Sequence, residues 1–164
     1  MRIRPEDPQD ADTIRSLTET AFKPMSYSDG TEGRIVDRLR RDGDLTLSLV
    51  AEEDGEIIGH VALSPVTISE AVGNWYGLGP ISVVAERQRQ GIGSALVAAG
   101  LARLREMGAA GVALTGNPAV YGPMGFRSGG LRYPDTAERN VMWQVLTGGA
   151  PSGDLAFAPA FDTL

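Results

Sequence analysis

A chain of 164 residues, 42% hydrophobic and 22% charged, has the length and composition of one folded domain with a full core. Its formal net charge of −6 weighs against a nucleic-acid partner and suits cationic small molecules or a basic peptide, while the lack of cysteine excludes disulfides, thiolate catalysis and Cys-based metal sites. No run of about 18 apolar residues implies a membrane span, and Met1 to Asp7 lacks the apolar core of a signal peptide, so the cytoplasm is the expected address.

In chain order, Met1 to Pro5 reads as a short strand. Asp10 or Asp12 then caps a helix to about Phe22, with Ile14, Leu17 and Ala21 as its inward stripe. Lys23 to Gly30 is a loop holding Tyr27 and Asp29. Thr31 caps a second helix to about Arg41, with Ile35, Val36 and Leu39 inward and Gly43 as its stop. Leu45, Leu47 and Leu49 alternate with polar residues as a half-buried strand, and Asp54-Gly55 is a two-residue hairpin signal. The return strand puts Ile57, Gly59, Val61 and Leu63 on one face and Ile58, His60, Ala62 and Ser64 on the other. Pro65 should end or bulge it before Val66 to Ser69 continue. Gly73-Asn74 turns the chain into Trp75 to Val84, the third strand of an antiparallel meander. Ser94 to Met107 is a helix with Val97, Leu101 and Leu104 inward and Arg103 and Arg105 near its C-terminal dipole. Val112 to Leu114 follows as a strand parallel to 78–84, the geometry of a β-helix-β passage. A short turn or helix at Pro118 to Met124 and a last strand, Val141 to Thr147, precede a tail, 148–164, that folds back on a single domain spanning 1–164.

Between the 78–84 strand and the helix lies Gln88-Arg89-Gln90-Gly91-Ile92-Gly93-Ser94. A glycine-rich turn opening a helix aims unpaired N–H groups at one point, where the helix dipole is positive, which makes an anion site suited to phosphate. It is not a P-loop, because the only lysine is Lys23, and not a dinucleotide fingerprint, because Leu96 stands where a third small residue is required. What remains is Gln88-x-x-Gly91-x-Gly93, or else an ordinary strand-to-helix turn. The pattern resembles the pyrophosphate loop of the GNAT superfamily of acyl-CoA-dependent N-acetyltransferases. Two further matches keep the family's order: Leu78-Gly79-Pro80-Ile81-Ser82-Val83, similar to its Leu-x-Pro-Leu-x-Val strand, and Asn117…Tyr121-x-x-x-Gly125-Phe126, similar to its Asn…Tyr-x-x-x-Gly-Phe element. Most of all the chain looks like the YhbS-like bacterial branch, whose final Pro-Ala-Phe it carries at Pro159 to Phe161. One departure is that Asn117 lies only four residues before Tyr121, which puts its usual pantetheine contact in doubt.

The resemblance implies a mixed α/β fold: a central, mostly antiparallel sheet of six to seven strands with a parallel, splayed fourth and fifth pair, flanked by about four helices. It implies transfer of an acetyl group from acetyl-CoA to a primary amine of a small molecule or peptide by direct attack, with no metal, no nucleic-acid or membrane partner, and a possible homodimer. An alternative is a catalytically silent acyl-CoA-binding regulatory module. The resemblance assigns acyl-CoA contacts to Ile81, Ser82, Val83, Gln88, Arg89, Gln90, Gly91, Ile92, Gly93, Ser94, Asn117 and Tyr121. Val83 N–H would serve the thioester oxygen, Tyr121 would act as general acid, and Glu32 is the candidate base or acceptor contact. His60 and Glu70 are weaker base candidates, since a mid-strand histidine is more simply a hydrogen-bonded sheet residue. Arg87 and Arg89 either add charge near the phosphates or are solvated surface residues. Trp75, Tyr76, Tyr133 and Trp143, or the Tyr27/Asp29 loop, are the candidate acceptor contacts.

Overall fold

In a computed structural model, which describes residues 1–25, 28 and 30–162, nine strands form one sheet flanked by four α-helices among the described residues. The elements are β1 (Arg2–Pro5), α1 (Ala11–Phe22), α2 (Glu32–Asp42), β2 (Leu47–Glu53), β3 (Glu56–Glu70), β4 (Trp75–Val83), α3 (Ile92–Glu106), β5 (Gly111–Thr115), α4 (Pro118–Tyr121), β6 (Arg127–Ser128), β7 (Leu131–Arg132), β8 (Val141–Val145) and β9 (Ser152–Ala156). The main path runs β1-β2-β3-β4-β5-β8-β6, with β9 pairing β3 and β7. β4 and β5 are parallel, as are β7 and β9; all other pairs are antiparallel. The sheet is therefore larger than expected by the two-residue β6 and β7, too short to leave a periodicity, and by β9, which the tail adds.

The Asp54-Gly55 hairpin forms as expected, both residues being left-handed (φ 52° and 79°), the conformation a type I′ turn demands. Just beyond it a bulge corrects the strict alternation of the return strand. Ala51 faces Gly59 while Glu52 faces Ile57, so Ile58 is the extra residue. Ile58 consequently joins Val61 and Leu63 in the core under α3, whereas Ile57 packs with Ile14, Val36 and Val50 under α1 and α2. A second correction concerns Pro65. It does not end β3, which runs unbroken for 15 residues. Leu63 turns its carbonyl toward Thr46, so alternation points Pro65, two residues on, to the same side. There β2 has ended at Leu63 and β9 begins only at Thr67, so no ladder bond misses the absent N–H.

The larger core lies between α3 and the sheet, where Leu96, Val97, Leu101 and Leu104 meet Leu49, Val61 and Leu63. Asp10 holds the N-cap position of α1 as expected, at the end of a 3-10 turn, but its carboxylate makes no cap bond to α1 and goes to Arg4 (2.8 Å) and the Asp7 N–H (2.7 Å). Arg4 also reaches Glu52 at 3.0 Å, tying β1, β2 and the start of α1 together.

Candidate active site

β4 pairs with β5 only from Trp75 to Gly77. Beyond Gly77 the two diverge, because β4 carries one extra residue at Gly79-Pro80: Val61 faces Ile81, yet Leu63 faces Leu78. The direction of the freed backbone groups follows from one bond. Val84 N–H donates to the Ile58 carbonyl at 2.9 Å, so alternation gives Ser82 to β3 and turns the amides and carbonyls of Ile81 and Val83 away from it, into the gap. The Val83 carbonyl there accepts a hydrogen bond from the Gln88 side chain at 3.1 Å. Ser82 is set apart from its neighbours, its side chain buried on the opposite face and its backbone in the ladder.

The glycine loop closes one end of this gap. Gly91 is left-handed (φ 84°) and caps α3, and the first helical bond runs from Ala95 N–H to the Gly91 carbonyl. The amides of Ile92, Gly93 and Ser94 precede that bond and have no helical acceptor. At Gly93 a Cβ would meet nothing nearer than Ile81 Cδ1 at 4.0 Å, so its absence leaves open space over the helix N-terminus. Ile92 offers its amide only, its side chain being buried in the core. Arg87 is engaged elsewhere, in an ion pair with Glu53 and a 2.9 Å bond to Gln90, whereas Arg89 stays exposed with φ 63°.

On the far wall, Asn117 caps the short α4, its Oδ1 accepting the Ala119 N–H at 2.9 Å. The spacing of Tyr121 to Gly125-Phe126 has a local cause. Gly125 ends a 3-10 turn in the left-handed region (φ 97°), and the chain returns with Phe126 N–H bonded to the Tyr121 carbonyl at 3.2 Å. The Tyr121 ring then meets Phe126 edge-on at 6.0 Å and lies against the bare Cα of Gly116.

A cleft of about 1260 Å³ joins these parts, and Ile81, Gln88, Asn117, Tyr121 and Glu32 all line it. A smaller depression of about 290 Å³ beside Glu6, Thr46 and Arg103 shares none of the candidate residues. Of the aromatic candidates among the described residues, only Tyr133 lines the cleft. Trp75 is core, Tyr76 packs under α3, and the Trp143 indole N–H is held by the Gly129 carbonyl at 2.9 Å. The cleft instead recruits Phe22 from α1 and Phe157 and Phe161 from the tail, residues far apart in sequence whose meeting no local pattern signals. Burial and the nearby Asp162 carboxylate push the Tyr133 phenol up, so it stays neutral. Tyr27 and Asp29 lie outside the described residues.

The candidate bases separate clearly. Glu32 is half-buried in the cleft wall and accepts the Ser28 hydroxyl at 2.7 Å. Glu70 sits exposed on β3 opposite Ser152, away from the cleft. His60 is fully buried, with Nε2 2.8 Å from Ser48 Oγ. Ser48 bonds in turn to the Glu6 carboxylate, which Arg40 clamps at 2.9 Å. Burial works against the Glu6 charge, but Arg40 and Ser48 outweigh it and hold the group below the usual carboxylate range. An ionised Glu6 only accepts, so Ser48 donates to it and must accept the Nε2–H of His60. Burial pushes His60 down to about 4, neutral in ordinary buffer. It is a structural histidine in a buried polar chain.

Residues 12–126 match the Acetyltransferase (GNAT) family. The chain is 42% identical over 127 residues to the uncharacterized N-acetyltransferase YhbS of Escherichia coli K12, covering 77% of this chain and 73% of that protein. It is 30% identical over 147 residues to the uncharacterized N-acetyltransferase YjhQ of the same organism, covering 85% and 80%. Among solved structures, a GNAT family acetyltransferase from Brucella melitensis in complex with acetyl-CoA superimposes with TM-score 0.87 at 47% identity, over 98% of this chain and 97% of that one. E. coli YhbS in complex with CoA gives TM-score 0.88 at 34% identity, over 98% and 91%. A splayed parallel pair, an open glycine-capped helix N-terminus and these relatives agree: the chain belongs to the GNAT family of N-acetyltransferases.

Proposed function

We propose that this chain transfers an acetyl group from acetyl-CoA to a primary amine of a small molecule or peptide by direct attack. The observation that carries the reading is the gap between β4 and β5, with outward-turned Ile81 and Val83 amides along it and acceptor-free helix amides at its end. The open position at Gly93 fits a pyrophosphate, and the amides from Arg89 to Ser94, with the α3 dipole behind them, would hold it. Ile81 and Val83 would pair with the amide-bearing arm as a missing strand would. Val83 N–H would meet the charge that develops on the thioester oxygen, a donor worth roughly 3 kcal/mol in other enzymes.

Tyr121 is the proposed general acid. A leaving thiolate has a pKa of roughly 8.5, judged from cysteine, and a phenol of about 10 within hydrogen-bond reach can protonate or stabilise it. The amine would enter on the side of Glu32, which lines the same cleft and would receive an ammonium or its proton. In the test, acetyl-CoA is mixed with a panel of amines and thiol release is followed. Tyr121→Phe should lower kcat by about 10²-fold at unchanged CoA affinity. Full activity in that variant removes Tyr121 from the mechanism. Tight CoA binding without thiol release across the panel supports the silent-module alternative.

A further inference from the structure

The acceptor end of the cleft has a composition of its own. Phe157 lies against Gly77, on the paired side of the Gly79-Pro80 bulge, and with Phe22, Tyr133 and Phe161 it lines the cleft; all four are half-buried, so each shows part of a ring to it. Tyr133 and Phe157 pack edge-to-face at 5.0 Å, and Phe157 and Phe161 meet at 5.4 Å with 45° between planes. The tail that carries two of these rings is fixed by β9 pairing with β3 and by Ala158 and Ala160 packing against Ile35 and Leu39 of α2. The aromatic wall is thus preformed. Among the described residues, the carboxylates of Glu32 and Asp135 share the lining with one cation, Arg139.

We propose that the acceptor is a small primary amine carried on a flat, apolar body such as an aryl ring. Ring faces and edges give such a body contact area without asking for hydrogen bonds, and they attract an adjoining ammonium. Glu32 and Asp135 favour that ammonium and disfavour an anionic acceptor. A polyhydroxylated acceptor, by contrast, leaves its hydroxyls unmatched against four aromatic side chains, and an extended polycation meets only the charge of Glu32 and Asp135, offset in part by Arg139.

The inference rests on the acetyl-transfer reading, and the experiment separates the two. Thiol release from acetyl-CoA is measured with 2-phenylethylamine, tryptamine, spermidine and a lysine-containing peptide. Binding of the same amines to the protein saturated with CoA is measured by calorimetry, which needs no turnover. The aryl amines should exceed spermidine and the peptide at least tenfold in kcat/KM and in affinity. Phe157→Leu, which keeps apolar volume but removes the flat ring, should raise KM for 2-phenylethylamine about tenfold and change that for ethylamine less than threefold. Phe161→Leu serves as a second variant should the first unfold. Turnover of spermidine or peptide with no aryl preference overturns this inference alone. Absence of thiol release with every amine overturns the transfer reading, and the calorimetry then still decides whether aryl amines are preferred.

Discussion

Gly116→Ala puts the Tyr121 assignment to a geometric test. A Cβ at position 116 would lie 2.6 Å from Tyr121 Cε2, 2.8 Å from Cδ2 and 3.1 Å from Leu114 Cδ1. Carbon atoms pack at about 3.5 Å, so the ring must retreat by roughly 0.9 Å. Overpacking of this kind costs about 1–3 kcal/mol, roughly 2–4 °C of melting temperature per kcal/mol for a domain of this size. Misplacing a reacting group by about 1 Å costs up to about 10²-fold in rate. The expected result is a kcat lowered by tens to about a hundredfold, with CoA affinity within about twofold because the glycine loop is untouched. Thiol release can be read with a chromogenic disulfide, as the chain has no cysteine of its own to react. Gly122→Ala is the control: nothing lies within 4 Å of a Cβ there and the backbone is already helical (φ −55°), so activity should be unchanged. If the effect runs through the ring, Gly116→Ala should add little to Tyr121→Phe. Undiminished kcat in Gly116→Ala, or an equal loss in both backgrounds, refutes the reasoning.

Gly93→Val fills open space over the α3 N-terminus, so CoA binding measured by calorimetry should weaken at least tenfold while the melting temperature holds; unchanged affinity would remove Gly93 from the phosphate site. Ser48→Ala strips the His60 Nε2–H and Glu6 of a shared partner and should cost about 1–3 kcal/mol in urea denaturation. Stability should also fall with acid because of His60. Its folded-state pKa of about 4 is below the unfolded value of about 6.5, so the unfolded chain binds the extra proton. The contribution is full above pH 6.5 and is lost as pH falls toward 4, about 2 kcal/mol of it by pH 5. In His60→Gln, whose amide can still donate to Ser48, this slope between pH 6.5 and 5 should flatten; equal slopes in both proteins would rule His60 out as its source.

Much of the fold was legible because the signals are local. Asp54-Gly55, the stripes of α2 and α3 and the turn at Gly73 depend on neighbours along the chain and appear where the sequence placed them; on α1, Ile14 and Leu17 are buried as expected, but Thr18 is buried in place of Ala21, which lines the cleft. The strand faces failed where a bulge intervened, since one extra residue at Ile58 reverses every parity argument before it. Pro65 misled for a related reason: the cost of its missing N–H depends on whether a partner strand stands on that side, and none does.

The site divides along the same line. By itself the sequence determined the glycine loop, the helix behind it and the Tyr121-to-Phe126 turn, because backbone conformation at Gly91 and Gly125 is a property of a few consecutive residues. Only the tertiary structure decided which aromatic residues line the cleft. Phe22, Tyr133, Phe157 and Phe161 converge through β9 pairing with the far end of β3 and the tail packing on α2. The same long-range pairing moved Trp75 and Trp143 out of contention, and the polar chain through Ser48 closed off His60. Local chemistry names a helix end or a turn, but an aromatic residue becomes a pocket wall or a core residue according to partners that lie dozens of residues away.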